Sequence, residues 1–307
     1  MSKTIRIGTR DSELALWQAN TVSKKLNDLG YKTEIVAVKS EGDLILDKPL
    51  DELGITGIFT KTLDVAMISG KVDIAVHSMK DVPTALPQGI IQGAVLKRAN
   101  TVDILVHKGN LDFLNSEGTI ASGSLRRKAQ WLSKYPTHKV EDLRGNVNTR
   151  MQKFKDNNWN GAIFAAAGLE RINLKPSEFI NLDWMVPAPA QGAMLVVVMD
   201  NNDYIIDAVS QLNDLETEIA THIERQFLRT LEGGCTAPIG AIARYNEKDD
   251  TIEFKGSLHS LDGKQKFEVE KVVPIKEWKK LGFFAAKEIL ENGGQALMTE
   301  LRTQLKK

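Results

Sequence analysis

Short runs of β-branched residues alternate with longer stretches whose apolar positions recur at helical spacing, the pattern of an α/β fold with a mainly parallel sheet. TIRIGTR reads as a first strand. Leu14, Leu16, Trp17, Val22 and Leu26 come next at roughly helical spacing, with Ser12 placed to cap that helix and Gly30 to end it. KTEIVAVKS is a second strand. Residues 41 to about 59 mix Gly, Asp and Pro without a clean period, which suggests a functional loop or lid. A helix near residues 60–69 leads to DIAVHSM, a buried strand that ends at Lys80, Asp81 and Val82 before Pro83.

A second α/β unit begins near residue 100, where DILVH, TIASGS, HKVEDL and GAIFAAAG read as strands separated by helical segments. After PAPAQGAM, the run LVVVM looks like one more strand, able to return to the first domain. Two α/β lobes joined by a double crossing would form a hinged cleft suited to closing on a ligand. From about residue 215 the style changes to one helix, three strands near 237–274, and helices at 276–292 and 295–305, the outline of a smaller third domain. The sequence shows no internal repeat. The resulting division is a first domain of residues 1–98 plus about 190–213, a second of 99–189 and a third of 214–307.

At 307 residues the chain is longer than one hydrophobic core usually serves, in keeping with that division. Forty basic residues balance forty acidic ones, so the broad positive field of a nucleic-acid or membrane-surface protein is missing and affinity for anions must be local. The N-terminus lacks the apolar core of a secretory signal, and no run of about 18 apolar residues occurs, so a cytoplasmic protein is expected. Near-zero charge and no coiled-coil seam make a monomer the default. Cys235 is the only cysteine, which excludes an internal disulfide and a cysteine-based zinc cluster; no metal site is expected.

Five of the twelve arginines, Arg126, Arg127, Arg144, Arg150 and Arg171, fall at or just after strand-to-helix corners of the second unit. Such corners line the carboxyl ends of strands, where ligands bind and helix N-termini offer amide donors. Arginine's planar fork suits carboxylates, and neither a P-loop nor a dinucleotide fingerprint comes after the first strand. Each arginine alone could be a solvated helix face; five at such corners predict a ligand with several carboxylates or phosphates, and a position at a cleft surface predicts that loss of Arg126 or Arg144 costs little stability. Arg10 and Ser12 end the first strand, and Lys80 with Asp81 ends a later one, where an acid can stabilise a cation or shuttle a proton. His77, inside an apolar strand, reads as a core histidine rather than a base. Cys235 comes after a helix that Gly233 and Gly234 would stop; a thiol there meets the negative end of the dipole, which favours a tether over a turnover nucleophile.

GTRDSELALWQA, GDLILD, DIAVHSMKDVP, SLRRKAQ, LRGNVNTR, AAAGLER, PAPAQGAM and LEGGCTAPIG, in this order and spacing, resemble the hydroxymethylbilane synthase (porphobilinogen deaminase) family over nearly the whole chain. The resemblance implies two domains like the lobes of a type II periplasmic binding protein and a small third α/β domain with a three-stranded sheet. It implies a transferase of porphyrin biosynthesis that condenses four porphobilinogen molecules head to tail, releases ammonia, and hydrolyses off linear hydroxymethylbilane for uroporphyrinogen-III synthase. It implies a dipyrromethane cofactor held through a thioether to Cys235, with Asp81 catalytic. Cofactor and substrate binding would fall to Arg10, Ser12, Lys80, Ser122, Ser124, Arg126, Arg127, Arg144, Asn146, Arg150, Arg171 and Gln191. The chain departs from the family pattern at Glu52 and Thr56 in the lid, where lysines are common, and at Gly123, Asn148 and Ala190. The residues alone leave two other readings open, a two-lobed solute-binding protein and a thiol hydrolase pairing Cys235 with His222 or His259.

Overall fold

A computed structural model describes residues 3–38, 60–231 and 237–305. The expected lid at 41–59, with Glu52 and Thr56, lies outside the described residues, as does Cys235. The described residues divide into two compact units. One holds those before Asn100 together with Gly192–Ile219; the other holds Asn100–Gln191 and those from Ala220 on.

In the first unit, β1 (Ile5–Arg10), α1 (Glu13–Asp28) and β2 (Thr33–Val38) form a parallel crossover. Ala15, Ala19, Val22 and Leu26 of α1 are buried, the helical stripe the sequence displays. The helix ends where Gly30 adopts φ +89°, with its N–H and that of Tyr31 bonded back to Asn27 and Leu26. After α2 (Lys61–Ile68), β3 (Ile74–Ser78) lies parallel to β1; β4 (Ile90–Val95) and β10 (Met194–Met199) complete the order β2-β1-β3-β10-β4, with β10 antiparallel to both neighbours. Ile5, Ile7, Ile74, Val76, Val196 and Val198 join α1 and α6 (Asp203–Ser210) in one core.

The second unit repeats this plan. Its strands are β5 (Asp103–His107), β6 (Thr119–Ala121), β7 (Lys139–Glu141), β8 (Gly161–Ala165) and β9 (Phe179–Asn181), in the order β7-β6-β8-β5-β9. β7, β6 and β8 are mutually parallel, while β5 runs antiparallel to β8 and β9. Each sheet therefore places its antiparallel strand fourth, and in each that strand is the one the chain makes on entering from the other unit. Alternation along β5 sends Ile104 and Val106 into one core and Leu105 into another, so both faces of the sheet are covered. The helices are α3 (Leu125–Lys134), α4 (Val147–Asp156) and the short α5 (Ala166–Arg171).

After α7 (Leu215–Thr230) come an antiparallel meander of β11 (Ile239–Asn246), β12 (Thr251–His259) and β13 (Lys266–Pro274), then α8 (Leu281–Ile289) and α9 (Gln295–Leu305). This sheet belongs to the second unit. Gly263, at the β12–β13 turn with φ +74°, sits where a Cβ would overlap the α3 backbone at Ala129 and Ser133. The helix expected at 276–292 begins later, because Ile275–Lys280 is a 3-10 segment, and it closes at a break where Gly293 takes φ +108°. The α/β expectation with two sheet domains and a three-stranded third sheet is borne out by this topology. The hydrophobic pattern does not reveal β4 or the three-residue β9.

Candidate functional site

Four of the expected site residues gather at the carboxyl edge of the first sheet. Arg10 is the last residue of β1, and β3 lies beside it in parallel, so the chain leaving β3 emerges at the same edge. There it makes one 3-10 turn, Met79–Asp81, with Met79 buried and Lys80 and Asp81 half-buried. The turn is held by Met79 N–H to the Ala193 carbonyl (3.1 Å) and Val82 N–H to the Met79 carbonyl (3.2 Å). Ser12 precedes α1 in extended geometry, and its hydroxyl makes no capping bond to the helix. His77 is buried, as its apolar strand predicts; burial first, and Arg10 second, push its pKa down to about 4, so it is neutral at pH 7.

The other set occupies the second sheet, where β7, β6 and β8 are adjacent and parallel and their carboxyl ends therefore share one edge. After β6, the buried Ser122 hydroxyl accepts from Ser124 N–H (3.3 Å), and Ser124 caps α3 by accepting from Arg127 N–H (3.4 Å). A Cβ at Gly123 would overlap the Leu143 carbonyl, so this turn accommodates no side chain without moving. After β7 come buried Arg144 and then Asn146, which caps α4 by accepting from Thr149 N–H (2.9 Å). Arg150 donates its Nε–H to the Gly145 carbonyl (2.7 Å). After β8, α5 starts at once and carries Arg171 in its last turn; burial lowers this guanidinium's pKa to about 10, with Glu170 opposing.

Neither Arg126 nor Arg144 is the exposed cleft residue the sequence suggests, since both are buried; at α3 the burial is shared by Arg126 and Arg127. These two are 4% and 5% exposed, and both converge on Asp103, which is wholly buried. Arg126 Nη2 lies 2.8 Å from Asp103 Oδ2 and its Nη1 donates to the Val186 carbonyl (2.7 Å). Arg127 donates Nε–H to Asp103 Oδ1 (3.0 Å) and Nη1–H to the Ile163 carbonyl (3.1 Å), with Nη2 also 2.8 Å from Oδ1. Gln191, another expected residue, joins the group through Nε2 to Asp103 Oδ1 (2.9 Å) and to the Thr101 carbonyl (2.8 Å). Removing either arginine thus opens a buried ionic network, and a stability cost results. Asp103 is the member of this group that the motifs do not mark. The one signal for it in the sequence is an acid placed directly before the apolar run Ile104–Val106 of the strand DILVH.

Ala190, one of the departures from the family pattern, has φ +62° and no exposed surface; its N–H donates to Glu224 Oε2 (2.6 Å), and Glu224 Oε1 accepts from Ala243 N–H (2.8 Å). Burial and this bond hold a non-glycine residue in the left-handed region. Among the described residues no group of three or more His, Cys, Asp or Glu side chains is placed to hold a metal ion, and no helix is long and apolar enough to cross a membrane.

Comparison with known proteins identifies the family. Residues 5–207 match the family model for the porphobilinogen deaminase dipyromethane cofactor binding domain, and residues 219–291 match that for the porphobilinogen deaminase C-terminal domain. The chloroplastic porphobilinogen deaminase of Oryza sativa subsp. japonica is 42% identical over 280 residues, 88% of this chain and 78% of that protein. The porphobilinogen deaminases of Chlorobium phaeobacteroides and Desulforamulus reducens are 37% and 39% identical, each over 98% of this chain and 99% of their own length. Among solved structures, the periplasmic VFT2 domain of Bordetella pertussis BvgS aligns with 68% of this chain and 86% of its own at 13% identity and a TM-score of 0.42. From its two matched domains and its near full-length relatives, the chain belongs to the porphobilinogen deaminase family and shares that family's enzymatic activity and dipyrromethane-binding domain.

Proposed function

We propose that the residues at the carboxyl edge of the second sheet bind the acetate and propionate groups of cofactor and porphobilinogen, and that Asp81 is the catalytic carboxylate. The observation that carries this is the strand register: three adjacent parallel strands deliver Ser122, Ser124, Arg126 and Arg127, then Arg144, Asn146 and Arg150, then Arg171, to one edge. The residues fit a polycarboxylate. Arg126 Nε–H is buried with no acceptor among the described residues, and among those residues two guanidiniums share the single carboxylate of Asp103, an arrangement that suits an anion.

When bound, dipyrromethane supplies a free pyrrole α-position as the primer to which four porphobilinogen units are joined. Cys235 is its attachment point through a thioether, and three domains, as the sequence divides them, are part of the same reading. Arg10 and Lys80 add carboxylate contacts at the first sheet's edge, and Ser12 offers a hydroxyl that its own helix does not use. Gln191 orients the arginine pair through Asp103. Ammonia loss and ring coupling both raise positive charge on pyrrole nitrogen; a fixed carboxylate at Asp81 answers that charge more strongly in the transition state than in the neutral ground state, and it can hold or return the proton. The cellular counterpart is a cytoplasmic monomer whose product passes to uroporphyrinogen-III synthase.

Intact mass of the purified protein tests the assignment. A covalent increment of two pyrrole units is expected, and Cys235→Ala should fold, as judged by circular dichroism, without it. An unmodified mass with full activity, or an adduct persisting on the Cys235→Ala variant, overturns the tether.

A further inference from the structure

We propose that Asp103 is a positioning residue for carboxylate recognition, holding Arg126 and Arg127 in the orientation in which they meet the ligand. The inference rests on the proposed role of those arginines in binding carboxylates. β5 runs antiparallel to β8, and Asp103, its first residue, pairs with Ala165, the last residue of β8. The reversed strand thereby presents its beginning, not its end, at the edge where β6, β7 and β8 finish. A strand parallel to its neighbours would have put that residue at the opposite edge of the sheet.

At that edge Asp103 uses both oxygens. Oδ2 faces Arg126, while Oδ1 faces the Nε and Nη2 of Arg127 together with Gln191 Nε2. The remaining internal contacts are backbone carbonyls, Val186 for Arg126 and Ile163 for Arg127, and Val186 is itself clamped by Gln130, which accepts from its N–H (2.8 Å) and donates to its carbonyl (2.9 Å). Each fork is thus fixed by one shared charge and one backbone oxygen. Two guanidiniums this close and this buried repel one another, and the carboxylate between them offsets that repulsion. Because, among the described residues, one carboxylate serves both guanidiniums, Asp103 orients the pair without neutralising it. A second acid here would cancel the charge a ligand needs, and a neutral residue would leave the forks unaligned.

The test compares Asp103→Asn, Arg126→Lys and the double variant by three readouts on the purified full-length protein: the fraction carrying the covalent cofactor by intact mass, KM and kcat for porphobilinogen, and Tm. Asn keeps the shape and the Oδ1 acceptor but turns an amide toward Arg126. Asp103→Asn should raise KM tenfold or more, or lower the loaded fraction severalfold. Arg126→Lys should do the same, and the double variant should lose less than the two single losses combined, because the part of the Asp103 effect carried by Arg126 is already gone and only its hold on Arg127 remains. Asp73→Asn is the control: it breaks a bidentate pair with Arg6 in the other unit and should lower Tm with KM unchanged. Wild-type KM and loading in Asp103→Asn, alongside an impaired Arg126→Lys, overturn the inference and leave the arginine assignment standing. Additive losses also overturn it. Wild-type behaviour of both Arg126→Lys and Arg126→Leu removes the arginine assignment and this inference with it. Should Asp103→Asn fail to fold, Asp103→Glu serves, since it keeps the charge and displaces the forks; a wild-type KM there counts against the role.

Discussion

At the scale of single residues, the proposed division of labour lies between groups that hold charge in place and one, Asp81, that answers charge as it develops. Asp81 sits on a one-turn 3-10 segment anchored to the start of β10, so its backbone is fixed while its side chain keeps some exposure. Asn at this position has nearly the same shape without the charge. Asp81→Asn should fold, retain a covalent cofactor when assembled from a preformed tetrapyrrole precursor, and lose on the order of a hundredfold in turnover, roughly 3 kcal/mol of barrier. Single-turnover release of ammonia isolates the chemical step. Release at the wild-type rate would move the catalytic role to another residue. The lone arginines were legible as candidates because their residue type and corner positions stand in the sequence. Their burial was not, since it depends on Asp103, which lies 23 positions before Arg126 and reaches it only through β5 pairing with β8.

At the scale of elements, periodicity served where an element has one buried face. The stripe of α1 is an example, and its Gly30 stop was readable as a C-terminal signal. It failed for β9, three residues long and half-exposed, and for the region after β13, where a 3-10 segment and a glycine break interrupt the helical pattern. The packing of α8 on α7 shows what pattern alone omits. Gly282 is buried in α8 where a Cβ would overlap the Ile223 carbonyl and come within 2.9 Å of Phe227 N. Helix propensity favours alanine over glycine by about 1 kcal/mol, yet two backbones in contact cannot yield as a side chain can. Gly282→Ala should therefore lower stability by about 1–3 kcal/mol, seen as a reduced midpoint in thermal melting. A raised midpoint would show that α8 shifts freely.

At the scale of the whole molecule, each unit carries a buried neutral histidine, His77 in the first and His259 in the second, both with pKa pushed down to about 4, chiefly by burial. In the unfolded chain these residues bind protons at an ordinary pKa near 6.5. Between about pH 4 and 6.5 the unfolded state therefore holds more protons, and stability falls as pH falls through that window; above it the stability is fully present, and below it the loss levels off. By pH 5 each residue should cost about 2 kcal/mol. Urea midpoints at pH 7 and pH 5 measure the slope, which His77→Gln and His259→Gln should each flatten. An unchanged slope in both variants would assign the acid sensitivity to other groups. The matching strand orders of the two five-stranded sheets also belong to this scale: the sequence shows no repeat, because topology constrains which positions are apolar and not which residues fill them.

The sequence by itself determined the α/β class, the order of most elements, the family, and the residue types fit for carboxylates, because local periodicity and ordered motifs are written along the chain. Only the tertiary structure decided that β5 runs against its neighbours, that its first residue thereby reaches the edge carrying the arginines, and that Arg126 and Arg127 are buried around it. The physical reason is strand direction. Hydrogen-bond pairing between distant segments sets which end of a strand meets a site, and a buried charge becomes tolerable only when that pairing brings its partner within reach.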